Sequence, residues 1–280
     1  MKHIRMFENA EQAADILQTL EYNTLSAIRG GSGISMNPGA SPTPPTPVVD
    51  LTTPFYIANI SGNEVTVTVT KHGNATDVKT TLYQSTDGET WESMSTGTAT
   101  IPANGILYLR CSAYRWGSSD QYYNVMNFTG RCNIGGNIMS LIYGSSFNGQ
   151  TTFNNKKSWA FARLFYYNEN IVDASNLLLP ATDIGLAAYF CMFNGCTSLT
   201  TAPALPAATL TEDCYRYMFQ NCSSLNHIEC FATNISALNC TTDWVNGVAS
   251  TGTFVKDPSM SSWTTGNNGI PDSWTVEDAA

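Results

Sequence analysis

Apolar and polar residues alternate with a period of two through most of residues 51 to 128. The stretches NEVTVTVTKHG (63–73), KTTLYQSTDGETWESM (79–94) and GILYLRCSAYRW (105–116) are each bounded by turn residues. Such alternation gives strands that bury one face, and their close spacing predicts a β-sandwich-like domain over 51–130. The first 37 residues follow a different pattern. A short strand, HIRMF, holds Ile4 and leads to Phe7. A helix starting near Asn9 then places Ala13, Ile16, Leu17 and Leu20 on one face, and LSAIRGGSGISM reads as a hairpin. A unit this small, with an apolar face and strand edges, either docks on a partner or packs against the rest of the chain or its own copies. The proline-rich NPGASPTPPTPVVD that follows predicts a semi-rigid spacer, 38–50.

Beyond residue 130 the pattern repeats with a step of 26. Leu179 maps to Leu205, Pro180 to Pro206, Met192 to Met218, Phe193 to Phe219, Cys196 to Cys222 and Leu199 to Leu225. A second step carries Cys214 to Cys240 and Met218-Phe219 to Trp244-Val245, while LFYYNENIVDASNLLLP (164–180) reads as a first unit with two extra residues. That period belongs to solenoids in which each unit buries its apolar face only against its neighbours. Within a unit, Thr211 reads as the cap of a short helix whose stripe holds Cys214, Met218 and Cys222 with Phe219 beside them. Gly195, Asn221 and Gly247 then take the left-handed conformation that ends it. Trp263 and Trp274, between Gly and Pro turns, predict a cap on the open end. The expected fold is α+β and multi-domain: a docking module (1–37), a linker (38–50), the β-sandwich-like domain (51–130), a short leucine-rich-repeat-like solenoid (131–258) and a C-terminal cap (259–280).

Composition narrows the chemistry. Charged residues are only 12%, and 13 basic against 22 acidic residues give a formal charge of −9, so no basic stripe is available to follow a phosphate backbone. Neither a bilayer-spanning stretch nor a secretion signal is visible, which argues for a protein assembled inside a cell and released on a larger particle. Cys196 with Cys222, and Cys214 with Cys240, are matched positions and read as a ladder of small core residues; zinc would want four converging ligands at short spacings. Their oxidation state stays open. Gly30-Gly31-Ser32-Gly33 lacks the lysine of a phosphate loop. STDGETW (85–91) compares with the Asp-box of sialidases but is one residue short and occurs once, so Asp87-Gly88 reads as a hairpin turn with Trp91 packed on the adjoining strand. The histidines, 3, 72 and 227, fall in three different units and assemble no triad. No enzyme, cofactor or metal is expected. Trp116, Tyr122 and Tyr123 are candidates for a ligand or subunit contact, with core packing as the commoner fate of such rings.

The phrases MFNGCTSLTTAPALPAATL, YMFQNCSSLNHIECFATNIS and RCNIGGNIMSLIYG resemble the BspA-like leucine-rich repeat proteins of gut Bacteroidetes and their phages, over about 130–280. The opening MKHIRMFENAEQAADILQTLEYNTLSAIRG is similar to an amino-terminal module of virion proteins in crAss-like phages. The resemblance implies a non-enzymatic head fibre or capsid-decorating protein on the virion exterior. It would be anchored to the major capsid protein or another virion protein through Ile4, Phe7, Ala13, Ile16, Leu17 and Leu20. It also implies a homo-oligomer, expected to be a trimer, whose repeat core (Met192, Phe193, Cys196, Leu199, Cys214, Met218, Phe219, Cys222, Leu225) supports a surface for host glycans or proteins. Nucleic acid and membrane are not expected partners. The competing expectations are a bacterial cell-surface adhesin and, behind it, a glycan hydrolase.

Overall fold

The computed structural model describes residues 51–153 and 158–279. The docking module with Ile4, Phe7, Ala13, Ile16, Leu17 and Leu20, and the linker 38–50, lie outside the described residues. Val49–Ala280 is one compact unit.

Its strands are β1 (Tyr56–Asn59), β2 (Val65–His72), β3 (Leu82–Ser85), β4 (Glu92–Ser93), β5 (Thr98–Ile101), β6 (Ile106–Cys111), β7 (Tyr123–Phe128) and β8 (Cys132–Asn137). After the short helix α1 (Ser140–Tyr143) come β9 (Ile171–Leu178), β10 (His227–Cys230), β11 (Thr253–Lys256) and β12 (Thr275–Asp278). The alternation seen in the sequence becomes two sheets, β4-β3-β6-β1-β8-β9 and β5-β2-β7. Val65, Val67 and Val69 of β2 and Leu107, Leu109 and Cys111 of β6 point into one apolar core. The fold is β-rich. The expected α component shrinks, among the described residues, to α1 and two 3₁₀ turns, which corrects the α+β expectation.

Both sheets continue into the repeats. On one side β9 joins β8 in parallel, and one column of paired residues runs Asn133, Asp173, Thr201, His227, Thr253, Thr275. The first step, Asp173 to Thr201, is two residues longer than the next, and β9 carries two register irregularities against β8. On the other side lies a staircase of turns, not a helix. Ala188, Phe190, Met192, Asn194 and Cys196 each donate their N–H to the carbonyl three residues back, while Ala187, Tyr189, Cys191, Phe193 and Gly195 donate to the next unit's Glu212, Cys214, Arg216, Met218 and Gln220. Alternate peptide groups thus close a turn or bond to the adjacent layer, so the backbone of the buried stack is paired. The next layer repeats this, with Tyr215 N–H on Cys240 at 2.9 Å and Phe219 N–H on Trp244 at 2.8 Å.

The staircase needs φ above zero at every fourth residue: Trp159, Arg163, Tyr167; Ala187, Cys191, Gly195; Asp213, Tyr217, Asn221; Asn239, Asp243, Gly247. From Arg163 onward each falls at the third position of a hydrogen-bonded turn, the type II signature. A non-glycine residue there costs about 1–2 kcal/mol, which the interlayer bonds and packing offset. The left-handed residues expected at 195, 221 and 247 are therefore present, but they end a turn, not the helix read over 211–222. The physical reason is the step. A four-residue turn pair keeps Cys214, Met218 and Cys222 on the inner side as a helix would, yet its N–H groups alternate between the chain's own turn and the next layer.

Between ladder and staircase run aromatic columns. Phe165, Phe193 and Phe219 stack with centroids 5.3 and 5.7 Å apart, and Phe161, Tyr189 and Tyr215 at 6.0 and 5.9 Å. Phe55 of the sandwich adds to the first column at 5.9 Å. The core runs without a break from Phe55 to Trp274, so the stretches expected as domains 51–130, 131–258 and 259–280 share one interior. At the near end Trp116 and Met126 donate backbone N–H to Ala160 and Leu164 at 2.8 and 2.7 Å. At the far end Trp263 stacks on Trp244 at 5.7 Å, whose indole N–H reaches the Gly269 carbonyl at 2.8 Å.

Phe193→Ala is expected to lower unfolding free energy by about 3–5 kcal/mol, because it breaks a column in its middle. Gly195→Ala is expected to cost about 1–2 kcal/mol or more, since a methyl there sits at positive φ and 2.8 Å from the Tyr167 ring. Asn221→Gly, at the equivalent exposed corner, should be close to neutral. Urea denaturation of the three variants checks all of these, and equal losses at 195 and 221 would contradict the turn assignment.

Candidate binding surface

The same geometry that points two residues of each four-residue turn pair inward points the others out. Outward positions in the first unit hold Trp159, Arg163, Tyr166 and Tyr167; in the second, Phe190; in the third, Arg216 and Tyr217. Of these, Trp159, Tyr166, Phe190 and Tyr217 form with Ala162, Ala187 and Cys191 a small apolar cluster separate from the main core. β7 adds Tyr123 at its edge, stacked on His72 of β2 at 4.7 Å.

Arg163 is the centre of this face. Its guanidinium carbon lies 4.4 Å from the Tyr166 ring centre, 5.0 Å from Tyr123 and 5.4 Å from Phe190. Each such contact is worth about 0.5–1 kcal/mol at a partly exposed site. The Tyr123 phenol is pushed up by burial, against the opposing pull of the Arg163 charge. Burial likewise pushes the Cys191 thiol up to about 12, although Arg163 and Arg216 both pull it down. Arg216 is anchored within its own unit: Asp213 meets it at 3.2 Å, and it donates to the Tyr217 hydroxyl at 3.1 Å. Tyr167 is the open member, 55% exposed, with its ring lying over Gly195. The result is a surface of rings set edge to face, with phenol hydroxyls among them and the Arg163 cation held between them.

The residues singled out from sequence fall in several places. Met192, Phe193, Cys196, Leu199, Cys214, Met218, Phe219, Cys222 and Leu225 are fully buried in the shared core. Two of the cysteines also act as donors: Cys196 to the Phe165 carbonyl at 3.2 Å and Cys222 to Phe193 at 3.0 Å. The corresponding residue of the first unit, Asn168, makes the same bond to Met126 at 3.1 Å. Trp116 is enclosed, its indole N–H on the Leu141 carbonyl at 2.9 Å, so the ligand or subunit contact considered for it is corrected to a core role. Tyr122 is partly exposed and packs over Gly73, while Tyr123 belongs to the aromatic face. Arg163, Tyr166, Tyr167 and Phe190 were not singled out; the signal was the aromatic density of WAFARLFYY (159–167) at positions between the inward columns.

Asp87-Gly88 forms the β3–β4 turn. Asp87 Oδ1 accepts from the N–H groups of Thr90 and Glu89 at 2.7 and 2.8 Å and from the Ser85 hydroxyl at 2.8 Å. Trp91 donates to the Gly88 carbonyl and lies 3.4 Å under the Arg110 guanidinium of β6. A cleft of about 460 Å³ flanks this hairpin, lined in part by Gln84, Asp87, Thr90 and Glu92. Among the described residues no three His, Cys, Asp or Glu side chains gather as a metal site, and no helix is long and apolar enough to cross a membrane. Comparison of the chain with family models, with curated proteins and with solved structures gave no match.

The Thr90 and Glu89 N–H groups hold the Asp87 carboxylate well below its usual range. Its folded pKa lies below the unfolded value of about 4, so the bonds stabilise fully above that value and are lost as pH falls through the folded one. Asp87→Asn should therefore narrow the difference between denaturation midpoints at about pH 7 and about pH 2. An unchanged difference would contradict this. All eight cysteines are buried, and burial pushes Cys132, Cys214 and Cys230 up to about 12. Thiol titration near neutral pH is expected to label them only after denaturant is added; rapid labelling of the native protein would count against the packing described.

Proposed function

We propose that this chain is a non-enzymatic virion structural protein of the head-fibre or capsid-decorating kind. Residues 1–37 anchor it to the major capsid protein or another virion protein, and a short leucine-rich-repeat-like solenoid with a C-terminal cap is displayed outward. The observation that carries this reading is how the repeats are joined. Their two ladders begin on β8 and on the backbone of Trp116 and Met126, so the repeats are a rigid continuation of the β-body and hold a surface at fixed orientation. The family resemblance over about 130–280 supports the same role. β4 and β5 are the outer strands of their sheets, and assembly into a homo-oligomer, a trimer in this reading, would cover such edges. Copies held on one particle add weak contacts to a host surface into stable attachment. The protein would be assembled in the bacterial cytoplasm and reside on the capsid exterior.

The test is sedimentation of the full-length protein with purified capsids, beside the Ile16→Asp/Leu17→Asp double variant. Charges on that apolar face should reduce co-sedimentation about tenfold or more while leaving the thermal melt unchanged. Equal retention of both proteins would refute the anchor, and absence of binding by either would favour a cell-surface adhesin.

A further inference from the structure

The β3–β4 hairpin borders two clefts of opposite chemistry. The one described above carries the carboxylates of Asp87 and Glu92. The other, of about 320 Å³, is lined by Tyr83, Trp91, Arg110, Ser112, Gly144 and Ser145, with no carboxylate among the described residues that line it. Its charge is therefore positive, in a chain whose formal charge is −9. The sheet register builds this cleft. Tyr83 of β3 pairs with Arg110 of β6 on one side and with Ser93 of β4, two residues past Trp91, on the other. Ser112 follows two residues after Arg110. Gly144, at φ 56°, leaves room for the Ser112 hydroxyl, since a Cβ there would come within 2.5 Å of it.

Arg110 is held in place but carries no counter-ion. Its guanidinium carbon lies 3.4 Å from the Trp91 ring centre, and the indole is itself fixed by its N–H on the Gly88 carbonyl at 3.2 Å. A contact of carbon to ring centre at that distance uses the face of the cation, not its N–H groups. Among the described residues Arg110 makes no ion pair with a carboxylate and no side-chain hydrogen bond. Arg216 is the contrast. Its guanidinium is raised by its bonds to Tyr217 and Asp213, whereas burial lowers Arg110. A half-buried planar cation with free N–H groups takes a planar anion edge to edge, through two parallel N–H···O bonds. Charge narrows the choice further: one cation balances one negative charge, and a phosphate or sulfate dianion would bring an unmatched charge to an acidic protein. The hydroxyls of Tyr83, Ser112 and Ser145 are further donors on the same walls.

We infer that the cleft between the β3–β4 hairpin and the Gly144–Ser146 turn binds a carboxylate monoanion, with Arg110 as the fork that receives it and Trp91 as the platform that orients Arg110. The inference stands apart from the display role proposed above, since it needs neither a capsid nor a host surface. Full-length protein is titrated by ligand-observed NMR at neutral pH and constant ionic strength with acetate, galacturonate, N-acetylalanine, inorganic phosphate and galactose. The three carboxylates are expected to bind and to compete with one another, galactose not to bind, and phosphate to bind about tenfold more weakly or less. The tighter of galacturonate and N-acetylalanine identifies the carrier of the carboxylate, a sugar or a chain terminus, and either result supports the inference. Arg110→Gln should weaken binding about tenfold or more, and Arg110→Lys, which keeps the charge without the fork, about threefold or more. Thermal melts verify that both variants are folded, and if Arg110→Gln is not, Arg110→Lys decides. Failure of every carboxylate to bind, or binding indifferent to substitution of Arg110 in a folded variant, would overturn the inference. Phosphate bound as tightly as acetate would overturn the choice of a planar monoanion. None of these outcomes bears on the capsid experiment at Ile16 and Leu17, so the two readings fail separately.

Discussion

Everything in the repeat region depends on one constraint: a chain that folds back every 26 residues must pair its buried peptide groups without the help of a helix. The turn staircase meets it by division. One N–H closes a turn within the layer, and the next bonds to the carbonyl of the layer beyond. The cost is a left-handed residue every four positions, and bulky side chains such as Trp159, Arg163, Tyr167 and Tyr217 occupy those corners. Such residues would avoid the conformation in isolation. They hold it here because each corner is fixed by bonds to the chain on either side and by the packing beneath it.

The same constraint explains why sandwich and repeats form one body. A stack of turns has an open first layer, and the carbonyls of Ala160 and Leu164 would be orphaned there. They are met by the N–H groups of Trp116 and Met126, while the side chains of Asn168 and Asn170 reach back to the carbonyls of Met126 and Phe128. At the opposite end Val245 N–H finds Asn267, and Thr241 and Trp244 donate to Asn268 and Gly269. The aromatic columns then align with no interface to cross, from Phe55 through Phe165, Phe193 and Phe219 to Trp244. This continuity gives the outer face its rigidity. A ring on a mobile loop loses freedom when it binds; Tyr166 and Tyr167 lie on a backbone paired to both neighbouring layers.

The cysteines illustrate how one position serves the stack. At 168, 196 and 222 the side chain has to be small, buried and able to donate to the preceding layer. Asparagine does so strongly and the thiol weakly. Burial raises the thiols so far that they are poor nucleophiles, which fits a packing role.

The sequence by itself determined the strands of the sandwich, whose period-two alternation is read directly, and the 26-residue step, since equivalent layers need equivalent inward residues. It also marked the corners at Gly195, Asn221 and Gly247, which tolerate positive φ. Tertiary structure alone decided what the units are made of. Inward residues recur every four positions in a turn pair and every 3.6 in a helix, and over the nine residues from Cys214 to Cys222 these periods cannot be distinguished. What separates them is the destination of alternate N–H groups, which lie on another layer 25 residues away, as in Tyr189 to Cys214. For the same reason Arg163 and the rings around it were not legible as a surface. Tyr123, Arg163, Phe190 and Arg216 are far apart in the chain, and only the stacking register brings them together.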